Sequence, residues 1–126
     1  KVIYFDFWAR WCPPCLAEME PLKQLRSKYS TKDLVIYSIC VSEPKEEWEE
    51  CLNEYSLKNR GIECIYASDY FGKDNFQKIR KQWKIDRMPY YLLLNRKGQI
   101  VDFGTTARPS NPQFISRIEE AVKDSK

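Results

Sequence analysis

Hydrophobic and polar positions along the chain follow two periods. Residues 2–8, VIYFDFW, are β-branched and aromatic on both faces, which predicts a central strand covered from two sides. Leu16, Met19, Leu22, Leu25 and Tyr29 then recur at spacings of three and four, predicting an amphipathic helix over about residues 13–30. Pro21 falls inside it. The proline ring clashes with the carbonyl of Ala17 and cannot donate to it, so a kink is expected at Pro21. Residues 33–41, DLVIYSICV, read as a second buried strand. A helix follows with Trp48, Cys51, Leu52 and Tyr55 on one face, capped by Ser42 or the next residue. Residues 62–68 read as a third strand. Residues 73–84 read as a helix with Phe76, Ile79 and Trp83 facing inward.

The pattern then changes. Residues 90–95, YYLLLN, and 99–104, QIVDFG, are separated by Arg96, Lys97 and Gly98, which predicts an antiparallel hairpin. Asn111 and Pro112 supply an N-cap and a first-turn proline for a last helix over 112–123. The order is β-α-β-α-β-α-β-β-α. Parallel units come first and a hairpin last, so the expectation is an α/β fold with one mixed sheet and helices on both faces.

Composition narrows the function. The 126 residues are 43% hydrophobic and 31% charged, with a net charge of +3, and fit one domain, 1–126. Charges of both signs are interspersed, which argues against a nucleic-acid surface. No apolar run is long enough to span a membrane. The opening KVIYFDF runs straight into a strand pattern, without the apolar stretch and cleavage site of a signal peptide. With no initiator Met, the chain reads as trimmed from a longer one. The absence of histidine removes Cys–His catalytic pairs and most mixed metal sites.

The chemistry concentrates in FWARWCPPC, residues 7–15. Cys12 lies past a strand and before a helix, where unpaired N–H groups and a partial positive charge favour thiolate. Cys15 is one helical turn on and can close a small ring. Pro13 fits the first helical position, and Pro14 removes the next donor. Cys12 is then left mainly with the N–H and S–H of Cys15 and the helix dipole, so only modest activation is expected. A zinc site needs four ligands, and Cys40, Cys51 and Cys64 form no second C-x-x-C. A structural staple across so small a ring would contribute little loop-closure entropy. The other three cysteines read as small packed apolar residues, leaving three free thiols in the oxidised chain.

DFWARWCPPC resembles the active-site segment of the thioredoxin superfamily. Met88-Pro89, before YYLLLN, stands where that superfamily places a cis-proline against the dithiol. The resemblance covers almost the whole chain and implies a thioredoxin-like fold: a mixed five-stranded sheet, about four helices, and a helix–strand insertion near residues 43–68. That insertion, CLAEM at 15–19 and ARPSNP at 107–112 resemble the TlpA/ResA-like branch of bacterial, extracytoplasmic thiol–disulfide oxidoreductases. Pro21 lies six residues after Cys15, where that branch implies five. The branch's N-terminal hairpin is also missing. Tryparedoxin and nucleoredoxin share Trp-Cys-Pro-Pro-Cys, so that motif alone does not choose the branch.

The implied activity is thiol–disulfide oxidoreduction, with Cys12 attacking a protein disulfide and Cys15 resolving the mixed disulfide. Burial of Asp6 would raise its pKa and suit it to take the Cys15 proton. Glu18, one turn beyond Cys15, is the second candidate acid. Without structure, Asp6 also reads as a strand-end acid in water and Glu18 as a solvated helix residue. The resemblance places Trp11 on the rim of a substrate groove and Met88 and Pro89 opposite the substrate backbone. Tyr90 and Tyr91 read as strand packing. The expected partners are protein disulfides or dithiols and an upstream electron donor. No cofactor, metal or nucleic acid is expected, and the chain is expected to be monomeric. The implied location is the bacterial periplasm or cell envelope, with a membrane-anchored context possible outside these residues. Two alternatives stand: a binding module whose dithiol is incidental, and a tryparedoxin/nucleoredoxin-like reductase.

Overall fold

A computed structural model describes residues 1–83 and 85–124. Strand β1, Val2–Trp8, is the centre of a five-stranded sheet. It pairs in parallel with β2, Leu34–Cys40, which pairs in parallel with β3, Ile62–Tyr66. On its other side β1 pairs antiparallel with β4, Tyr90–Leu94, which turns back into β5, Ile100–Gly104. The spatial order is β3-β2-β1-β4-β5. The mixed sheet matches the sequence expectation, and the 43–68 insertion supplies a helix and the parallel edge strand.

Two apolar layers form because β1 is buried on both faces. Val2, Tyr4 and Trp8 point into one layer with Met19, Leu22, Leu25, Phe114 and Ile118. Phe7 points into the other with Ile39, Phe76, Ile85 and Tyr90. Side chains alternate along a strand, so Asp6 falls on the same side as Tyr4 and Trp8. The buried Trp8 indole donates to the Ser38 hydroxyl at 2.9 Å, which satisfies both polar groups.

The helices depart from expectation in three places. The first helix is two, α1, Pro13–Ala17, and α2, Met19–Lys28, and the break lies at Glu18 rather than at Pro21. Pro21 is the third residue of α2. Its missing N–H and its ring act on the carbonyl four residues back, Ala17, so the disruption appears one turn upstream of the proline. Next, Ser42 does not cap the helix α3, Lys45–Glu54, whose N-cap is Pro44. Its hydroxyl instead accepts from the Arg10 N–H at 2.9 Å and lies 3.4 Å from the Cys40 sulfur. Lastly, β3 stops at Tyr66, and residues 67–71 form a short helix, α4, Ala67–Phe71. Tyr66 pairs with Cys40, the last residue of β2, so the edge strand has nothing to pair with beyond it.

Gly72, at φ +79°, takes a conformation that other residues rarely adopt and separates α4 from α5, Lys73–Gln82. Phe76 is buried, Ile79 is half-buried, and Trp83 stands edge-on to Phe5 and Phe7 at 6.0 and 6.1 Å. The last position of the predicted 73–84 helix, Lys84, lies outside the described residues. The hairpin turn is tied by the Asn95 side chain, which accepts from the N–H groups of Lys97 and Gln99.

Helix α6 spans Pro112–Lys123, as its cap signals predict. The Asn111 side chain accepts from the Gln113 N–H at 3.1 Å. Replacing Asn111 by Ala leaves an end donor unpaired. It should lower the unfolding free energy by about 1 kcal/mol in urea titrations. An unchanged midpoint would show that the cap contributes nothing.

Candidate active site

Strand β1 ends at Trp8, and three residues, Ala9 to Trp11, carry the chain to Cys12, which caps α1. Cys12 has extended backbone angles, and its sulfur accepts from the Cys15 N–H at 3.3 Å. Pro13 and Pro14 fill the first two helical positions, so those two donors do not exist. The donor-poor turn expected from the sequence is therefore present, with the Cys15 N–H serving the Cys12 sulfur. Cys12 and Cys15 are joined as a disulfide with Cα atoms 5.3 Å apart. Both cysteines are buried in this state, whereas Pro13, Pro14 and Trp11 are exposed, Trp11 to 67%. Met88–Pro89 is cis; Met88 is half-buried, touches both apolar layers, and leads directly into β4. A second cis bond, Glu43–Pro44, precedes α3 and had no sequence signal.

Both candidate acids are buried. Asp6 is 3% exposed on the sheet face that carries the dithiol. No hydrogen bond reaches its carboxyl among the described residues. Burial pushes its pKa up to about 8, with the nearby Glu18 carboxylate adding to the rise. Glu18 is not the solvated helix residue that its position also allowed: it is 6% exposed at the α1–α2 break. Its two oxygens accept from the N–H and the hydroxyl of Ser110, at 3.0 and 2.6 Å. The Tyr4 hydroxyl donates to the carbonyl of Ala107 at 2.7 Å, so the loop before α6 is fixed to both the sheet and the helix break.

Two residues here escaped sequence reasoning. Ser110 lies 92 positions from Glu18, and no local pattern links them. Tyr91 packs as expected, stacked on Tyr4 at 5.7 Å, yet its buried hydroxyl has no hydrogen-bond partner among the described residues. Burial, Asp6 and Glu18 raise its pKa.

The remaining cysteines are free thiols. Burial raises all three, Cys64 to about 11, which keeps them as thiols. Among the described residues, no group of three or more His, Cys, Asp or Glu side chains is placed to hold a metal ion. An apolar cavity of about 680 Å³ opens on the opposite sheet face, lined by Phe5, Trp83, Tyr90, Leu92 and Phe103. It lies away from the dithiol, and its lining carries no thiol chemistry.

Comparison with known proteins agrees with this geometry. Residues 1–100 match the model of the thioredoxin-like family. The chain belongs to that family. Among its relatives, the thiol-disulfide oxidoreductase ResA of Geobacillus thermodenitrificans is 32% identical over 121 residues, covering 94% of this chain and 64% of the relative. ResA of Bacillus thuringiensis is 26% identical over 102 residues, covering 81% and 53%. The thioredoxin-like chain thus spans about half to two thirds of the length of these relatives. The fold is shared with a thiol:disulfide interchange protein from Bacteroides sp., with TM-score 0.78, 20% identity and coverage of 100% of this chain and 76% of that one. It is also shared with the thioredoxin domain of a thiol-disulfide oxidoreductase from Bacteroides vulgatus, with TM-score 0.75, 19% identity and coverage of 98% and 80%.

The buried Asp6 sets a pH dependence of stability. Its folded-state pKa of about 8 lies above its unfolded value, so between about pH 4 and that midpoint the folded chain binds more protons than the unfolded one. Its contribution is full below that window and is lost as pH rises through about 8. Asp6→Asn should therefore stabilise the oxidised protein at pH 7 by about 2–4 kcal/mol and change little near pH 3. Urea unfolding across the pH range tests this, and a variant less stable than the parent at pH 7 would contradict it.

Proposed function

We propose that this thioredoxin-like chain is a thiol–disulfide oxidoreductase that reduces protein disulfides through Cys12 and Cys15. The observation that carries the reading is the closed Cys12–Cys15 pair at a helix start, with two buried carboxyls on the same side of the sheet. In the reduced form the Cys12 thiolate attacks a substrate disulfide, forming one mixed S–S bond and releasing the other substrate sulfur as a thiolate that takes a proton from water. Cys15 loses its proton to a buried carboxylate and attacks the Cys12 sulfur. The second substrate sulfur leaves, two electrons rest on the substrate, and the Cys12–Cys15 disulfide remains. An upstream dithiol donor returns the two electrons.

Asp6 is the proton acceptor in this scheme. Its midpoint of about 8 sits near those of thiols, which suits proton exchange at neutral pH, and among the described residues no donor engages its oxygens. Glu18 is held by Ser110 and acts on Asp6 through its charge. Trp11, exposed beside Cys12, and Met88, before the cis-proline Pro89, border the substrate groove. A substrate backbone pairs at Met88. The donor-poor turn keeps activation of the Cys12 thiol modest, which favours a reductant over a strong oxidant. The ResA relatives and the resemblance to their branch favour an extracytoplasmic setting, in the bacterial periplasm or envelope, and a monomer acting on protein partners.

Insulin or another disulfide protein serves as the test substrate. Cys12→Ser should abolish reduction, and Cys15→Ser should accumulate mixed disulfides visible on non-reducing gels. Turnover by Cys12→Ser would sink the assignment, and an inert wild-type dithiol would favour a binding module.

The acid roles are separable by single-turnover kinetics. Asp6→Asn should slow the resolving step about tenfold or more at pH 7. Glu18→Gln should instead shift the pH profile downward, because it removes a charge that raises Asp6. Identical profiles for both variants and the parent would exclude either carboxyl as the acceptor.

A further inference from the structure

Asp6 and Tyr91 lie directly opposite each other where β1 and β4 pair antiparallel. Opposed residues point to the same side of a sheet, with Cβ atoms about 4.5–5.5 Å apart. Both are buried, Asp6 at 3% and Tyr91 at 0% exposure. The Tyr91 hydroxyl is an unpartnered donor, and the Asp6 carboxyl receives no hydrogen bond among the described residues. Tyr4, the other buried phenol in this layer, is committed elsewhere, donating to Ala107 at 2.7 Å. A buried hydroxyl left without a partner is costly, and the Asp6 carboxyl is its directly opposed cross-strand neighbour.

We propose that Tyr91 is a positioning residue for the proton acceptor: when Asp6 ionises, the Tyr91 hydroxyl donates to its carboxylate, directly or through one water, and holds it ready for the Cys15 proton. The inference rests on the thiol–disulfide reading above. Asp6 is uncharged and needs no donor while protonated. Its anion in an apolar layer does need one. Several ionisable groups face this pair. Tyr4 comes from β1, Cys40 from β2 and Glu18 from the α1–α2 break, with Cys12 and Cys15 in the same layer. Arg108 acts on Tyr91 from the loop before α6, and Asp102 on β5 acts on the neighbouring Tyr4. Tyr91 keeps its proton in this company, because burial and the two carboxyls raise it, so it serves as a donor and never as a base. The proton transferred is that of the Cys15 thiol: the S–H bond breaks, an O–H bond forms on Asp6, and Tyr91 only reorients.

Tyr91→Phe removes the hydroxyl and keeps the ring stacked on Tyr4. The side-chain carboxyl of Asp6 is followed by its 13C shift against pH in the oxidised protein. The variant should move the Asp6 midpoint upward by about one pH unit, since a hydrogen bond to the anion is lost. Tyr4→Phe is the control and should leave the midpoint in place. In single-turnover assays Tyr91→Phe should slow resolution about three- to tenfold at pH 7, and the gap should narrow as pH passes the variant's own midpoint. An Asp6 midpoint unchanged by Tyr91→Phe, in a folded protein that still reduces disulfides, overturns the role of Tyr91. A wild-type chain that reduces no disulfide overturns the underlying reading instead, and the 13C titration still reports on the Asp6–Tyr91 contact.

Discussion

A carboxyl on the central strand lies in an apolar layer, and among the described residues no hydrogen bond reaches it in the oxidised state; the character of this site follows from that placement. Asp6 is there because β1 is covered on both faces and alternation assigns its side chain to the layer of Tyr4 and Trp8. An ionised carboxylate in such a layer is costly, so the proton is held to a midpoint of about 8. The sheet therefore carries, on the face of the Cys12–Cys15 pair, a group able to take and return a proton near neutral pH.

The second carboxyl is handled differently. The same proline that disrupts the first helix leaves a junction at Glu18 and turns that residue inward. There the N–H and hydroxyl of Ser110 engage both of its oxygens. Among the described residues, one acid accepts no hydrogen bond in the oxidised state and the other accepts two. Environment, not residue type, separates the two acids: in the scheme proposed above Asp6 exchanges the proton, while Glu18 raises Asp6 through its charge and is bonded to the loop before α6.

Local signals carried the fold a long way. The 3.6-residue period around Met19 to Leu25, the 2–8 strand and the Asn111-Pro112 start all appear where periodicity and capping place them. The dithiol and Met88-Pro89 were legible as motifs. What escaped the sequence depends on non-local facts. The extent of β3 is set by where β2 ends, not by its own residues. The helix break lies at Glu18 because a proline acts on the turn before it. Ser42 looked like a cap and instead joins the Arg10 segment to the end of β2. Ser110 and Tyr91 gain their meaning only when the chain brings them to Glu18 and Asp6, and neither partner is near in sequence.

The protonation of Asp6 in the oxidised protein is the central quantity at this site. Infrared difference spectroscopy of its carboxyl stretch, with Asp6→Asn as the blank, measures that midpoint without requiring turnover. A buried Asp6 should show a protonated carboxyl that ionises near pH 8. Ionisation in the ordinary carboxylate range, near about pH 4, would contradict it.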